Sequence, residues 1–214
     1  MNHRFIPQNK LLASLLLLAF SILTPHPGRA SEGQDVPNNA KTTLFHPRLA
    51  TILKNNPLID ASGNPVQVDR LLSKKYIFVY FSGYYCHPCR VLTPHLIAFY
   101  REEIKNGDFE FLFCDDFDVK KEAMDKYMRE AMMPWPCLLY NDPAVPGLQA
   151  LVGKHPGGVP YLYLLDQNDE LIAIPTNAGT DHQSWFSINK WLSLHDRPPI
   201  HWNFMENYQR EFPD

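Results

Sequence analysis

Ser82-Gly83-Tyr84-Tyr85-Cys86-His87-Pro88-Cys89-Arg90 follows directly on the apolar run Tyr76-Ile77-Phe78-Val79-Tyr80-Phe81. The run is uncharged and rich in aromatic and β-branched residues, so it reads as a buried strand. Beyond Cys89 the pattern changes to a helical period. Val91, Leu92, His95, Leu96, Phe99 and Tyr100 share one side, and Arg101, Glu102 and Glu103 follow. The two cysteines therefore stand where a strand passes into a helix, with Cys86 at the helix N-terminus and Cys89 one turn in. Free backbone N–H groups and the positive end of the helix dipole stabilise a thiolate at Cys86. The i,i+3 spacing lets Cys89 close a disulfide with Cys86 and later displace a partner bound there.

Other chemistries use the same two residues. A zinc site would need a second pair or histidine partners, but Cys114 and Cys137 are separated by 22 intervening residues, each in apolar sequence. Cu(I) suits thiolates, and His87 lies between the two sulfurs. An inert structural disulfide is the third alternative. A structural disulfide or a Cu(I) site at these cysteines leaves a binding module, rather than an enzyme, as the rival reading.

The same stretch resembles the thioredoxin-fold superfamily, in its tryparedoxin/nucleoredoxin-like branch. The resemblance rests on Ser82, Cys86, Pro88-Cys89-Arg90, Thr93-Pro94, Leu96 and Phe99-Tyr100. It is reinforced by Phe109-Glu110-Phe111-Leu112-Phe113-Cys114-Asp115-Asp116, Met133-Pro134-Trp135-Pro136 and Gly158-Val159-Pro160 leading to Leu164-Leu165-Asp166. It covers residues 55–175. Tyr85 departs from the usual Trp before the first cysteine, and His87 from the usual Pro after it. The resemblance implies an α/β, thioredoxin-like fold, with a central mixed sheet flanked by helices.

It further implies a thiol–disulfide oxidoreductase with Cys86 as nucleophile and Cys89 as resolving residue. His87, Pro88 and Arg90 would tune the pair, because a neighbouring cation stabilises a thiolate. Tyr85, Trp135, Val159 and Pro160 would contact substrate, with Trp135 walling the groove in preference to packing in the core, and the Val159–Pro160 bond cis. No cofactor is expected beyond the redox-active disulfide. The partners expected are protein thiols or disulfides and an electron donor or acceptor that the sequence does not identify. A monomer is expected.

The chain has 214 residues, 45% of them apolar and 20% charged, which is enough for one well-buried core. A net charge of −3 argues against nucleic-acid binding. Arg4 and Lys10, the apolar Leu11–Leu23 and Gly28-Arg29-Ala30 together read as a secretory signal peptide over residues 1–30. That reading implies export to the periplasm or exterior. Residues 31–43 read as a flexible leader, 44–196 as the thioredoxin-like domain and 197–214 as an aromatic tail.

Within the domain, a short helix is expected over Phe45–Leu53 and a hairpin from Leu58-Ile59 to Pro65–Val68. A helical turn is expected over Asp69–Ser73. The helix after Cys89 should run to Lys105 and stop at Asn106-Gly107. Asp118 is expected to cap a helix over Val119–Met132 with Ala123, Met124, Tyr127 and Met128 inward. A final helix over Asp181–His195 should turn Trp185, Ile188, Trp191 and Leu192 to the sheet. Cys114 and Cys137 suit either a second, structural disulfide or two buried free thiols. The Tyr76–Phe81 strand offers no acid to take a proton from Cys89.

Overall fold

The computed structural model describes residues 45–153, 158–173, 179–201 and 209–210. The expected signal segment 1–30 and leader 31–43 lie outside them, as does most of the expected tail.

Among the described residues seven strands build one sheet. They are β1 (Leu58–Ile59), β2 (Pro65–Val66), β3 (Tyr76–Ser82), β4 (Phe109–Asp115), β5 (Cys137–Leu138), β6 (Tyr161–Leu165) and β7 (Leu171–Ala173). Their order is β2-β1-β5-β4-β3-β6-β7. β4 runs parallel to β3 and β5, whereas β6 runs antiparallel to β3. The sheet is therefore mixed, with β3 near its middle. All seven residues of β3 are buried, as an uncharged strand covered on both faces requires. At the outer edge β2 is two residues long and begins with a proline.

The two-residue period of the strands sorts the core into two layers. Tyr76, Phe78 and Tyr80 of β3 and Phe109, Phe111 and Phe113 of β4 face one way. Against them pack α3 (His87–Glu103), α4 (Lys121–Ala131) and α6 (Gly179–Leu194). Ile77, Val79 and Phe81, with Leu112 and Cys114, face the other way, onto α1 (Pro47–Leu53), α2 (Val68–Leu72) and α5 (Val145–Val152). Trp185, Ile188, Trp191 and Leu192 are all buried in the first layer, as the helical period predicts.

This alternation decides the second pair of cysteines. Phe113 of β4 is in register with Cys137 of β5, so those two share a face. Cys114, one residue on, points to the other face and packs in the opposite layer. Both cysteines are buried and free, so the second disulfide entertained from sequence is not formed. The sheet itself lies between them.

Helix α3 stops as its sequence predicts. A short 3-10 turn over Ile104–Asn106 leads to Gly107 at φ 74, a left-handed conformation that glycine adopts without strain. Helix α4 differs from expectation. It begins at Lys121, two residues later than predicted, and has no side-chain cap. The Asp118 carboxylate, expected at that cap, bonds elsewhere.

The boundary drawn at residue 197 is bridged. Arg197 makes a two-pronged contact with Glu103 of α3, at 2.8 and 3.1 Å. Ile200 exchanges hydrogen bonds with the Asn189 amide. Near the start of the described chain, buried His46 bonds the Asp169 carboxylate at 3.0 Å and the Lys74 carbonyl at 2.9 Å. Asp169 also accepts from the N–H groups of Arg48 and Leu49, so α1 is fastened to the β6–β7 turn.

Candidate active site

β3 delivers the chain to the end of the sheet at Ser82, and Gly83-Tyr84-Tyr85 forms a short loop before α3 starts. Cys86 is the N-cap of that helix, with extended backbone (φ −84, ψ 103), and its Sγ accepts a hydrogen bond from the Cys89 N–H at 3.2 Å. Cys86 and Cys89 are joined as a disulfide with their Cα atoms 5.2 Å apart. The two sulfur-bearing residues are not equivalent. Cys86 keeps 5% of its surface exposed and Cys89 none. Cys86 Sγ lies 3.5 Å from the Val159 carbonyl oxygen, and the Val159–Pro160 bond is cis.

Around this pair, His87, Tyr85 and Arg90 are exposed and Pro88 is half-buried in the first helical turn. Proline is tolerated there because the first turn leaves its N–H groups without helical partners. Arg90 lies over the ring of Tyr84, 5.4 Å from its centroid, with the Lys126 ammonium 4.9 Å from the same ring. Its charge is thus turned toward an aromatic face. Among the described residues no group of three or more His, Cys, Asp or Glu side chains is gathered as a metal site would require.

Trp135 is a correction to the sequence reading. It is 1% exposed, stacks on Phe111 at 4.8 Å and meets Tyr100 edge-on at 5.5 Å. It fills the core layer beneath α3 and does not wall a groove. An indole buries more apolar surface than almost any other side chain, and here the β4 aromatics provide a stacking partner.

Two features escaped the sequence. The first is a buried hydroxyl network under the dithiol. Thr93, one helical turn after Cys89, donates to the Cys89 carbonyl at 2.9 Å and also meets the phenols of Tyr80 and Tyr127. Ser82 joins at Tyr127. Burial raises both phenols above their ordinary range, so they stay neutral. This network stands where a buried acid was sought in β3. Thr93 at four residues beyond Cys89 was the one signal available.

The second is Asp118. Its Oδ2 accepts from the Tyr84 N–H at 2.7 Å and its Oδ1 from the Tyr85 N–H at 3.1 Å. Asp115 supports it, its Oδ1 accepting from the N–H groups of Phe117 and Asp118 at 3.1 and 2.9 Å. Burial pushes the Asp115 carboxyl up to about 7, its hydrogen bonds from Asp118 and Phe117 N–H pulling the other way. The loop fits closely because residue 83 is glycine. A Cβ there would stand 2.6 Å from the Phe117 Cβ.

A family model described as thioredoxin-like matches residues 74–171, which span β3 through β6 and the dithiol. Human nucleoredoxin is 35% identical over 118 residues, covering 54% of this chain and 26% of that protein. The probable nucleoredoxin 1 of Arabidopsis thaliana is 32% identical over 118 residues, 55% of this chain and 19% of that protein. The tryparedoxin of Trypanosoma brucei brucei is 32% identical over 84 residues, 39% of this chain and 55% of that protein. The chain thus spans less than a third of the length of these nucleoredoxins and about half that of the tryparedoxin. Among solved structures, a thioredoxin from Wuchereria bancrofti superposes with a TM-score of 0.53 at 27% identity, covering 66% of this chain and 97% of that one. Tryparedoxin I from Crithidia fasciculata gives 0.50 at 29% identity, covering 59% and 85%.

These relatives correct one expectation. Nucleoredoxins are intracellular proteins, which contradicts the periplasmic or secreted location read from residues 1–30. An apolar stretch behind two basic residues satisfies the signal pattern on composition alone, and composition is a weak warrant beside a related domain.

Proposed function

We propose that this chain, which has a thioredoxin-like fold and is similar to tryparedoxins and nucleoredoxins, exchanges disulfides with protein substrates through Cys86 and Cys89. One observation carries the reading. The pair is asymmetric, with Cys86 keeping 5% of its surface open beside the Val159 carbonyl and Cys89 fully sealed behind it.

In the reducing direction, the Cys86 thiolate attacks one sulfur of a substrate disulfide. A mixed disulfide forms and the substrate's other sulfur leaves as a thiolate, to be protonated. The Cys89 thiolate then attacks Cys86 Sγ, closes the Cys86–Cys89 disulfide and expels the second substrate sulfur. Two electrons pass from the dithiol to the substrate. The same steps in reverse oxidise a substrate dithiol. The cysteine pair is itself the redox group, so the exchange requires no bound cofactor.

The helix N-terminus supports thiolate at Cys86 through its free N–H groups and dipole. His87, exposed beside it, adds positive charge when its ring is protonated and so favours the reduced form. Val159 and cis Pro160 suit an extended substrate backbone approaching Cys86, and Tyr85, 58% exposed, supplies an aromatic contact at the rim. Arg90 acts through Tyr84.

The test is the reduction potential of the pair, set by equilibration with glutathione buffers and read by thiol labelling. Values from roughly −120 to −270 mV, with exchange completed in minutes, fit a working oxidoreductase. A pair well below about −300 mV that resists exchange would make it a structural staple and overturn the reading. Loss of exchange on adding Cu(I), with both thiols protected, would favour the binding module.

A further inference from the structure

β3 has ended at Ser82 and α3 has not begun before Cys86, so the N–H groups of Tyr84 and Tyr85 have neither a ladder nor a helical partner. One carboxylate takes both. Asp118 reaches from the loop after β4 with one oxygen on each N–H, at 2.7 and 3.1 Å. That loop is built to hold it there. Asp115 pins the N–H of Asp118 itself, the Asp116 N–H donates to the Ser82 carbonyl at 3.2 Å, and Gly83 leaves room for Phe117. A bonded carboxylate therefore stays fixed on the two residues that precede Cys86, the more accessible of the two cysteines.

We propose that Asp118 is a positioning residue for the dithiol that also sets its redox poise, holding the Cys86 loop in place while its negative charge opposes thiolate at Cys86 and so favours the disulfide. The inference rests on the reading of Cys86 as the nucleophile. Successive Cα atoms are only about 3.8 Å apart, so a charge seated on the Tyr85 N–H acts on Cys86 at short range. It works against the helix dipole, which favours the thiolate. The other ionisable side chains placed at this loop are His87 beside Cys86, Asp115 beneath Asp118, and Arg90 and Lys126 over the Tyr84 ring. None of these is substituted in the variants below. Because the Asp118 charge helps hold the Asp115 carboxyl up, the equilibrium is read above about pH 8, where Asp115 is ionised in parent and variant alike.

Asp118→Asn keeps the shape, removes the charge and leaves one oxygen to accept where two did. Asp118→Glu keeps the charge and disturbs the fit. Two readouts are taken on the full chain. The first is the pH profile of iodoacetamide alkylation of Cys86 after chemical reduction. The second is the equilibrium in which two glutathione thiols reduce the protein disulfide, giving glutathione disulfide and the protein dithiol. In Asp118→Asn the alkylation inflection should move to lower pH by about half a unit to one unit, and the equilibrium should shift about three- to tenfold toward the dithiol. Asp118→Glu should show neither shift, although both variants lose thermal stability. Should Asp118→Asn fail to fold, Asp118→Ser keeps an oxygen acceptor without the charge and is read the same way.

A neutral variant that melts lower but keeps the parent inflection and equilibrium would reduce Asp118 to a structural brace and overturn the proposal. Alkylation reads Cys86 whether or not the pair turns over. A parent that never exchanges, with a shifted variant profile, therefore refutes the oxidoreductase reading and keeps Asp118. Normal exchange with an unshifted profile does the reverse.

Discussion

Replacing Gly83 with alanine tests whether the loop after β4 grips the dithiol loop as closely as the geometry requires. Gly83 does not occupy the left-handed region, so its backbone accepts alanine. The obstacle is space. The added methyl would lie 2.6 Å from Phe117 Cβ, 3.3 Å from Asp118 Oδ1 and 3.4 Å from Asp118 Cγ. Carbon atoms pack best at about 3.5–4.0 Å, and Phe117 Cβ is bound to the backbone, so the loop must retreat by about 1 Å. A retreat of that size carries the 2.7 Å contact between the Tyr84 N–H and Asp118 beyond hydrogen-bonding range. Overpacking costs about 1–3 kcal/mol and a lost charge-assisted bond about 1.5–3, in part the same energy counted twice. The stiffer unfolded chain returns about 0.4–1 kcal/mol. A net loss of about 2 kcal/mol follows, or about 4–8 °C in Tm for a unit of this size. Urea unfolding of the oxidised protein measures it. Gly83→Ala within about 0.5 kcal/mol of the parent would mean that the two loops are not seated on one another, and the Asp118 argument would lose its footing.

Two further outcomes bear on buried groups. Asp115 is held up near pH 7 by burial while an unfolded aspartate titrates near 3.8, so its contribution to stability is complete below about pH 3.8 and is lost as pH rises through about 7. Asp115→Asn keeps the Oδ1 acceptor and should be more stable than the parent at pH 8 but not at pH 4.5; an equal difference at both pH values would refute the burial argument. Cys114 and Cys137 are buried free thiols on opposite faces of the sheet. The oxidised protein should therefore yield no fast-reacting thiols when folded and two per chain when unfolded without reductant. Finding none after unfolding would restore a second disulfide.

What could be read without the structure was whatever a local period encodes. The β3 run, the cysteine pair at its end, the amphipathic faces of α3, α4 and α6 and the stop at Gly107 each repeat over a few neighbouring residues. The reading failed where the answer depends on register or on distant partners. Whether Cys114 meets Cys137 turns on how β5 pairs with β4, because one residue of slip exchanges the faces. Trp135 sits between two prolines, where no period says which way a side chain points. Asp118 looked like a helix cap because caps and loop clamps use the same carboxylate, and only the fold brings it to Tyr84, 34 residues earlier in the chain. The Thr93 network shows the intermediate case. Its helical spacing from Cys89 was visible, but its phenol partners come from β3 and α4.

The outer edge of the sheet at β2 has a consequence for how the protein behaves when crowded. An open strand edge is a row of unused donors and acceptors on which another chain can template itself. β2 offers two residues, and one of them is a proline with no N–H to give. An incoming strand would find too few bonds there to hold its register. That edge therefore gives a second chain little on which to seed a cross-chain sheet, an incoming substrate segment of the kind proposed for Cys86 included.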